Sequence, residues 1–147
     1  MYSREELSHI KKDFWIEFSK EFPKKWMLYD TKIKNVSFKF YVDNKMAQVQ
    51  LDIEPNSEEK RKLYFEKLQS LKTILIDEYL PEAIFTQNYT LPTAKNISRI
   101  YVEKLHVSLH DKNSWFEIFD FFYKSMSSFE LFFYEYGDYI KDLETNV

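Results

Sequence analysis

Leu7, Ile10, Phe14, Phe18 and Phe22 recur at spacings of three and four, with Lys11, Lys12, Asp13, Glu17 and Lys20 between them. That period gives an amphipathic helix with a single apolar stripe. Ser3 and Glu6 form a capping box at its start, and the helix ends before Pro23. Residues 23–32 carry no period and read as a connection. The period then changes to two. Val36, Phe38, Phe40 and Val42 alternate with Ser37, Lys39 and Tyr41, and Ala47, Val49, Leu51 and Ile53 alternate with Gln48, Gln50 and Asp52. Asp43-Asn44-Lys45 lies between the two runs. Two alternating runs about a short turn predict a β-hairpin with one buried face.

Glu54-Pro55 ends the second strand. Asn56 is the predicted N-cap of the next helix, with Glu58 and Glu59 favourably placed in its first turn. This helix runs to about Tyr79, with Leu63, Leu68, Leu71, Ile74, Leu75 and Tyr79 inward, and Leu80-Pro81 stops it. Residues 83–90 and 97–105 read as the third and fourth strands, and residues 106–109 as a candidate extension of the fourth. Ser114 and Glu117 suggest a second capping box, followed by an aromatic helix to about Leu143. Residues 125–128 are a candidate bend or break in it, and Gly137 is tolerated within a helix at ~1 kcal/mol relative to Ala. The order is α-ββ-α-ββ-α. It predicts a two-layer α+β fold, with a four-stranded, mainly antiparallel sheet packed by helices. Nothing resembling a linker divides residues 1–147, which read as a single domain.

Composition narrows the function classes. With 14 Phe, 11 Tyr and 3 Trp among 147 residues and a net charge of −3, the chain can bury a core and is not disordered. The aromatic load has two readings: a functional aromatic surface, or the coding bias of an AT-rich genome, which also favours Lys, Ile and Asn over Gly. There is no cysteine, which removes disulfide scaffolds, thiolate metal sites and Cys nucleophiles. A single glycine cannot build the glycine-rich loops of nucleotide enzymes, and no G-x-S-x-G elbow is present. Charged residues follow Met1-Tyr2 at once, unlike a secretory signal, and no apolar run approaches the ~18 residues of a membrane span. A cytoplasmic protein with no membrane partner is expected.

Several constellations could carry chemistry. His106 and His110, with Asp111, have a spacing that a metal can use, but the signal is weak and two histidines at a strand end and loop are the better explanation. Asp43-Asn44-Lys45 spells the D-x-K of a PD-(D/E)XK nuclease but falls in a turn, and Asp52-Ile53-Glu54 lacks the lysine. No catalytic residue, metal ligand or cofactor is therefore assigned. Lys24, Lys25 and Trp26 mix charge with stacking surface and are the candidate nucleic-acid contact, although acidic neighbours also suit a plain solvated surface. Arg99 and Tyr101 share one face of the fourth strand. If that face is open, they line a polar groove with Lys39, Gln48 and Gln50. Phe129, Phe132, Phe133, Tyr136 and Tyr139 give the last helix more apolar surface than one face can hold; some fill the monomer core, and together they are either the candidate interface for self-association or part of a deep monomeric core.

Six segments together resemble an uncharacterised bacterial family, a domain of unknown function. They are Tyr2-Ser3-Arg4-Glu5-Glu6-Leu7, Lys12-Asp13-Phe14-Trp15, Asp43-Asn44-Lys45 with Ala47, Leu63-Tyr64-Phe65-Glu66, Ile97-Ser98-Arg99-Ile100-Tyr101, and Trp115 leading to Phe121-Phe122. Such domains stand alone or lie at the C-terminus of predicted PD-(D/E)XK nuclease-like proteins. The resemblance implies an accessory role near nuclease or genome-defence systems and assigns no site residue. The expected function is a non-enzymatic interaction module, probed against the alternative of a nucleic-acid-associated accessory domain.

Overall fold

A computed structural model describes residues 2–142. The first helix, α1 (Arg4–Glu21), begins with the expected capping box. Ser3 Oγ accepts from the Glu6 amide at 3.1 Å, and the Glu6 carboxylate accepts from the Ser3 amide at 3.2 Å. The hairpin forms from β1 (Val36–Val42) and β2 (Met46–Ile53), antiparallel, with Phe38 opposite Leu51. Its turn is closed by the Asp43 carboxylate, which accepts from the amides of Lys45 (2.8 Å) and Met46 (2.9 Å). That is the local side-chain bond for which Asp is favoured in turns. The second pair, β3 (Ile84–Thr90) and β4 (Asn96–Leu105), joins through β4, which lies against β2. The sheet order is β1-β2-β4-β3 and every neighbouring pair is antiparallel. The α+β fold and the order of its strand pairs and helices are as the sequence predicts.

The predicted helix over residues 57–79 is two helices, α2 (Glu58–Ser70) and α3 (Lys72–Glu78), broken at Leu71. Ser70 Oγ donates to the carbonyl of Lys67, a back-bond of the kind that bends helices. The cap is Ser57, not Asn56: its hydroxyl accepts from the Lys60 amide at 3.2 Å. The inward face is also shifted. Leu63 is 44% exposed, whereas Arg61, Tyr64 and Phe65 are buried.

The last helix, α4 (Trp115–Lys141), runs without a break through residues 125–128, and position 143 lies outside the described residues. Ser114 does not cap it. Its hydroxyl donates instead to the carbonyls of Ser108 and Asp111, and Asp111 caps the short turn Lys112–Ser114 ahead of the helix. Residues 106–109 do not extend β4. His106 takes a left-handed φ of 64°, and the chain folds back so that the Leu109 amide donates to the Asp43 carbonyl at 2.9 Å.

All four helices lie on one face of the sheet. Phe129 and Phe133 of α4 pack on Phe38, Phe122 of α4 and Phe18 of α1 on Phe40, Phe65 of α2 on Phe85, and Lys72 of α3 over Phe85. Phe14 and Phe18 also interlock with Phe119 and Phe122, which fixes α1 on α4. Phe38, Leu51, Ile53, Ile100, Phe122, Phe129 and Phe132 are fully buried in this layer. The opposite face, made of the alternate strand positions, carries no helix. Among the described residues no helix is long and apolar enough to cross a membrane.

Candidate functional site

The uncovered face is built by register. Asp52 of β2 stands directly opposite Arg99 of β4, Gln50 opposite Tyr101, and Gln48 opposite Glu103. Lys39 of β1 lies opposite Gln50, one diagonal step from Asp52, within reach of a long side chain. Arg99 meets Asp52 with two parallel bonds, Nε to Oδ1 at 2.7 Å and Nη2 to Oδ2 at 3.0 Å. This is the fork geometry that a guanidinium offers a carboxylate. Lys39 Nζ lies 3.0 Å from Asp52 Oδ2 and 2.9 Å from Glu54 Oε2. The Arg99 guanidinium also sits 4.2 Å from the ring centroid of Tyr89. Beside this cluster, Gln50 Nε2 donates to Gln48 Oε1 (2.7 Å), and Gln48 Nε2 donates to Glu103 Oε1 (3.0 Å). Asp52 is fully buried, and Gln48, Gln50 and Arg99 are nearly so, although no helix covers them.

The electrostatics follow from that crowding. Burial alone lowers the Lys39 pKa, but the Glu54 and Asp52 carboxylates outweigh it and hold the ammonium above the ordinary lysine value. Burial likewise opposes the charge of Arg99, and Asp52 overcomes it. Tyr101 is pushed up by burial and by the nearby Glu103 charge. At the hairpin end, Tyr41 donates to Asp43 Oδ2 at 2.8 Å, which raises the phenol. Burial opposes the charge of Asp43, but the Lys45 amide, the Tyr41 hydroxyl and the Met46 amide hold its carboxyl below the usual range. Both Asp52 oxygens are engaged by cations, so this carboxylate is occupied in pairing. Lys39 and Arg99 balance Asp52 and Glu54, while Glu103 and Asp43 add negative charge.

The Lys24–Trp26 patch has a different role. Lys24 Nζ lies 3.3 Å from Glu130 Oε1, and Glu130 Oε2 accepts from the Met27 amide at 2.6 Å. Trp26 lies parallel to Phe18 and edge-on to Phe40 and Tyr123, with the Lys24 ammonium 4.5 Å from its ring centroid. Of the two lysines only Lys25 makes no ion pair with the described residues. Glu130, which was not among the candidate residues, is thus the clasp that holds the loop to α4. A lone carboxylate inside the apolar run of 129–133 was its signal.

The candidate self-association surface is corrected in the same way. Phe129, Phe132 and Phe133 are buried in the core, packed on Phe38, Tyr79 and the sheet, so no partner can reach them. Tyr136 is partly buried against Phe132, and Tyr139 is exposed beneath the Lys67 ammonium. Among the described residues no three His, Asp or Glu side chains gather where a metal could be held.

A family model for a domain of unknown function, DUF4268, matches residues 10–137. The chain belongs to that family. No curated protein and no solved structure matches it. The DUF4268 match spans all four strands, and with them every residue of the Arg99–Asp52–Lys39–Glu54 cluster.

Proposed function

We propose that this DUF4268 chain is a non-enzymatic protein-recognition module that binds its partner on the uncovered face of the sheet. The observation that carries this reading is the buried Arg99–Asp52 pair, flanked by the partly exposed Lys39 and Glu54, on a face that no described helix covers, with Tyr41, Tyr89 and Tyr101 around it. An ordinary solvated sheet face has no need of buried ions. Their desolvation largely cancels the attraction, so such clusters stabilise little, and their best use is specificity. Tyr and Arg are also the side chains enriched at the centres of protein interfaces. The resemblance to bacterial domains at the C-terminus of predicted PD-(D/E)XK nuclease-like proteins supports an accessory role in nuclease or genome-defence systems, in the cytoplasm. Self-association through α4 now has Leu131, Tyr134 and Tyr139 as its exposed contacts.

The test is site-specific photo-cross-linking in cells. A benzophenone amino acid at position 41 or 101 should give a discrete protein adduct that Arg99→Glu abolishes. The exposed control positions 62 and 124 should give none. Equal adducts at the controls would sink the reading. So would saturable, salt-sensitive binding of labelled single-stranded DNA that Arg99→Glu removes, which would transfer the face to the nucleic-acid alternative.

A further inference from the structure

A second surface lies on the helical layer, remote in chemistry from the sheet face. Two adjoining hollows, of about 240 and 530 Å³, share Trp15 and Ser19 as lining residues and together make up a groove beside α1. Its deeper part lies between the C-terminal end of α1, the 22–28 connection and Phe40. Trp15, Phe22, Trp26 and Phe40 all reach it, and each is only partly buried by the fold. Its shallower part is floored by Ile16, which is 43% exposed.

The charges around the groove have one sign. Lys12 and Lys20 line the shallow part and Lys24 the deep part, and no carboxylate among the described residues lines either. Lys12, Ile16 and Lys20 follow at steps of four, so α1 presents a cation, an apolar side chain and a cation along one stripe. Lys24 shares its charge with Glu130, whereas Lys12 and Lys20 make no ion pair with the described residues. A groove of this kind in a chain of net charge −3 is a local arrangement, not a by-product of composition. The neighbouring cavity lined by Lys25, Lys32 and Lys141 is different, since Asp30 and Asp138 line it too.

Charge complementarity together with the apolar floor selects the occupant. We infer that this groove docks a short acidic segment of a partner protein, with a large apolar side chain laid against the Trp15–Phe40 pair and flanking carboxylates on Lys12 and Lys20. Apolar anchors in aromatic grooves and carboxylates on a basic rim are recurring modes of peptide recognition. A nucleobase fits less well, because stacking needs a free ring face. Trp15 is stacked on Phe122, and Trp26 is engaged by Phe18 and the Lys24 ammonium.

The probe is a library of random dodecapeptides displayed on phage and selected on the purified full chain. The enriched peptides should carry Trp, Phe or Leu beside Asp or Glu, and a fluorescein-labelled synthetic copy should bind saturably and change the tryptophan emission. The double substitution Lys12→Glu/Lys20→Glu, at exposed helix positions, should weaken that binding by at least about tenfold with an unchanged melting temperature. A peptide with Lys in place of its acids should recover binding to this variant. Arg99→Glu should leave the peptide affinity unchanged, which separates this groove from the sheet face. Three outcomes would overturn the inference: selection without acidic residues, equal affinity of wild type and double variant, or no enrichment. A fourth is that a labelled single-stranded dodecanucleotide or anionic phosphatidylglycerol vesicles bind in a Lys12- and Lys20-dependent way while the peptides do not.

Discussion

The two faces of the sheet bury their central residues by opposite means. On the helical face Phe38, Val49, Leu51, Ile53 and Ile100 are covered by α2 and α4, and their burial is the ordinary apolar kind that drives folding. On the other face Asp52, Gln50, Gln48 and Arg99 are buried by one another and by neighbouring long side chains, with no helix above them. Burial alone therefore does not identify a core. The first face gains free energy from every square ångström removed from water. The second gains little, since each charge loses hydration to win its partner, but it holds its groups in one geometry. A face that contributes little to stability yet is rigidly arranged suits recognition.

The largest test of this contrast is truncation on the apolar side. Phe129→Ala removes a fully buried ring and should cost about 3–5 kcal/mol in urea denaturation. Asp52→Ala should approach that, at about 3 kcal/mol, because it strands the buried Arg99 guanidinium and leaves Lys39 with Glu54 alone. The sharper test removes both partners. Asp52→Leu with Arg99→Met should restore stability to within about 1 kcal/mol of wild type while abolishing the cross-links at positions 41 and 101. If the double variant stays as unstable as Asp52→Ala, the polar face is a structural core after all. Tyr89→Ala should cost about 1 kcal/mol through loss of its contact with the Arg99 guanidinium.

The smallest expected effect is the pH response. Lys39 is held above its ordinary value of 10.5 in the fold, so the stability it supplies is complete below that pH and is lost as pH rises through the higher folded value. Asp43 has the opposite sign. Its share is present above the ordinary carboxyl value of 3.8 and disappears as pH falls through the lowered folded value. Thermal melts across pH should show a decline above about pH 10.5 that Lys39→Met reduces and Phe129→Leu does not.

The parts of the fold that were readable are those written in short-range pattern. Val36–Val42 and Met46–Ile53 alternate, so their hairpin and its faces could be assigned before any tertiary contact was known. The same alternation put Lys39, Gln48, Gln50, Arg99 and Tyr101 on one face of the sheet, which the register bears out. The phase of α2 was less readable. Leu63 is an apolar residue left at the surface, while Arg61 turns inward to donate to the Gln87 carbonyl at 2.6 Å and to Ser98 Oγ at 2.9 Å. Gln87 belongs to the irregular end of β3, where the register shifts between Thr86 and Tyr89, and Ser98 to β4, and no local period could announce them.

By itself, then, the sequence determined the elements, the faces of the hairpin and the absence of thiol and glycine-loop chemistry, because each depends on residue type and on neighbours a few positions away. The tertiary structure decided which charges meet. Asp52 and Arg99 are 47 positions apart, and Glu130 reaches Met27 across 103. Strand order set the first pair and helix docking the second, and neither distance is encoded in a local period. The same docking of α4 sent Phe129, Phe132 and Phe133 into the core and left the aromatic groove beside α1 open. A ring's chemistry is local, but whether it faces a core, a clasp or a partner depends on what the rest of the chain brings to it.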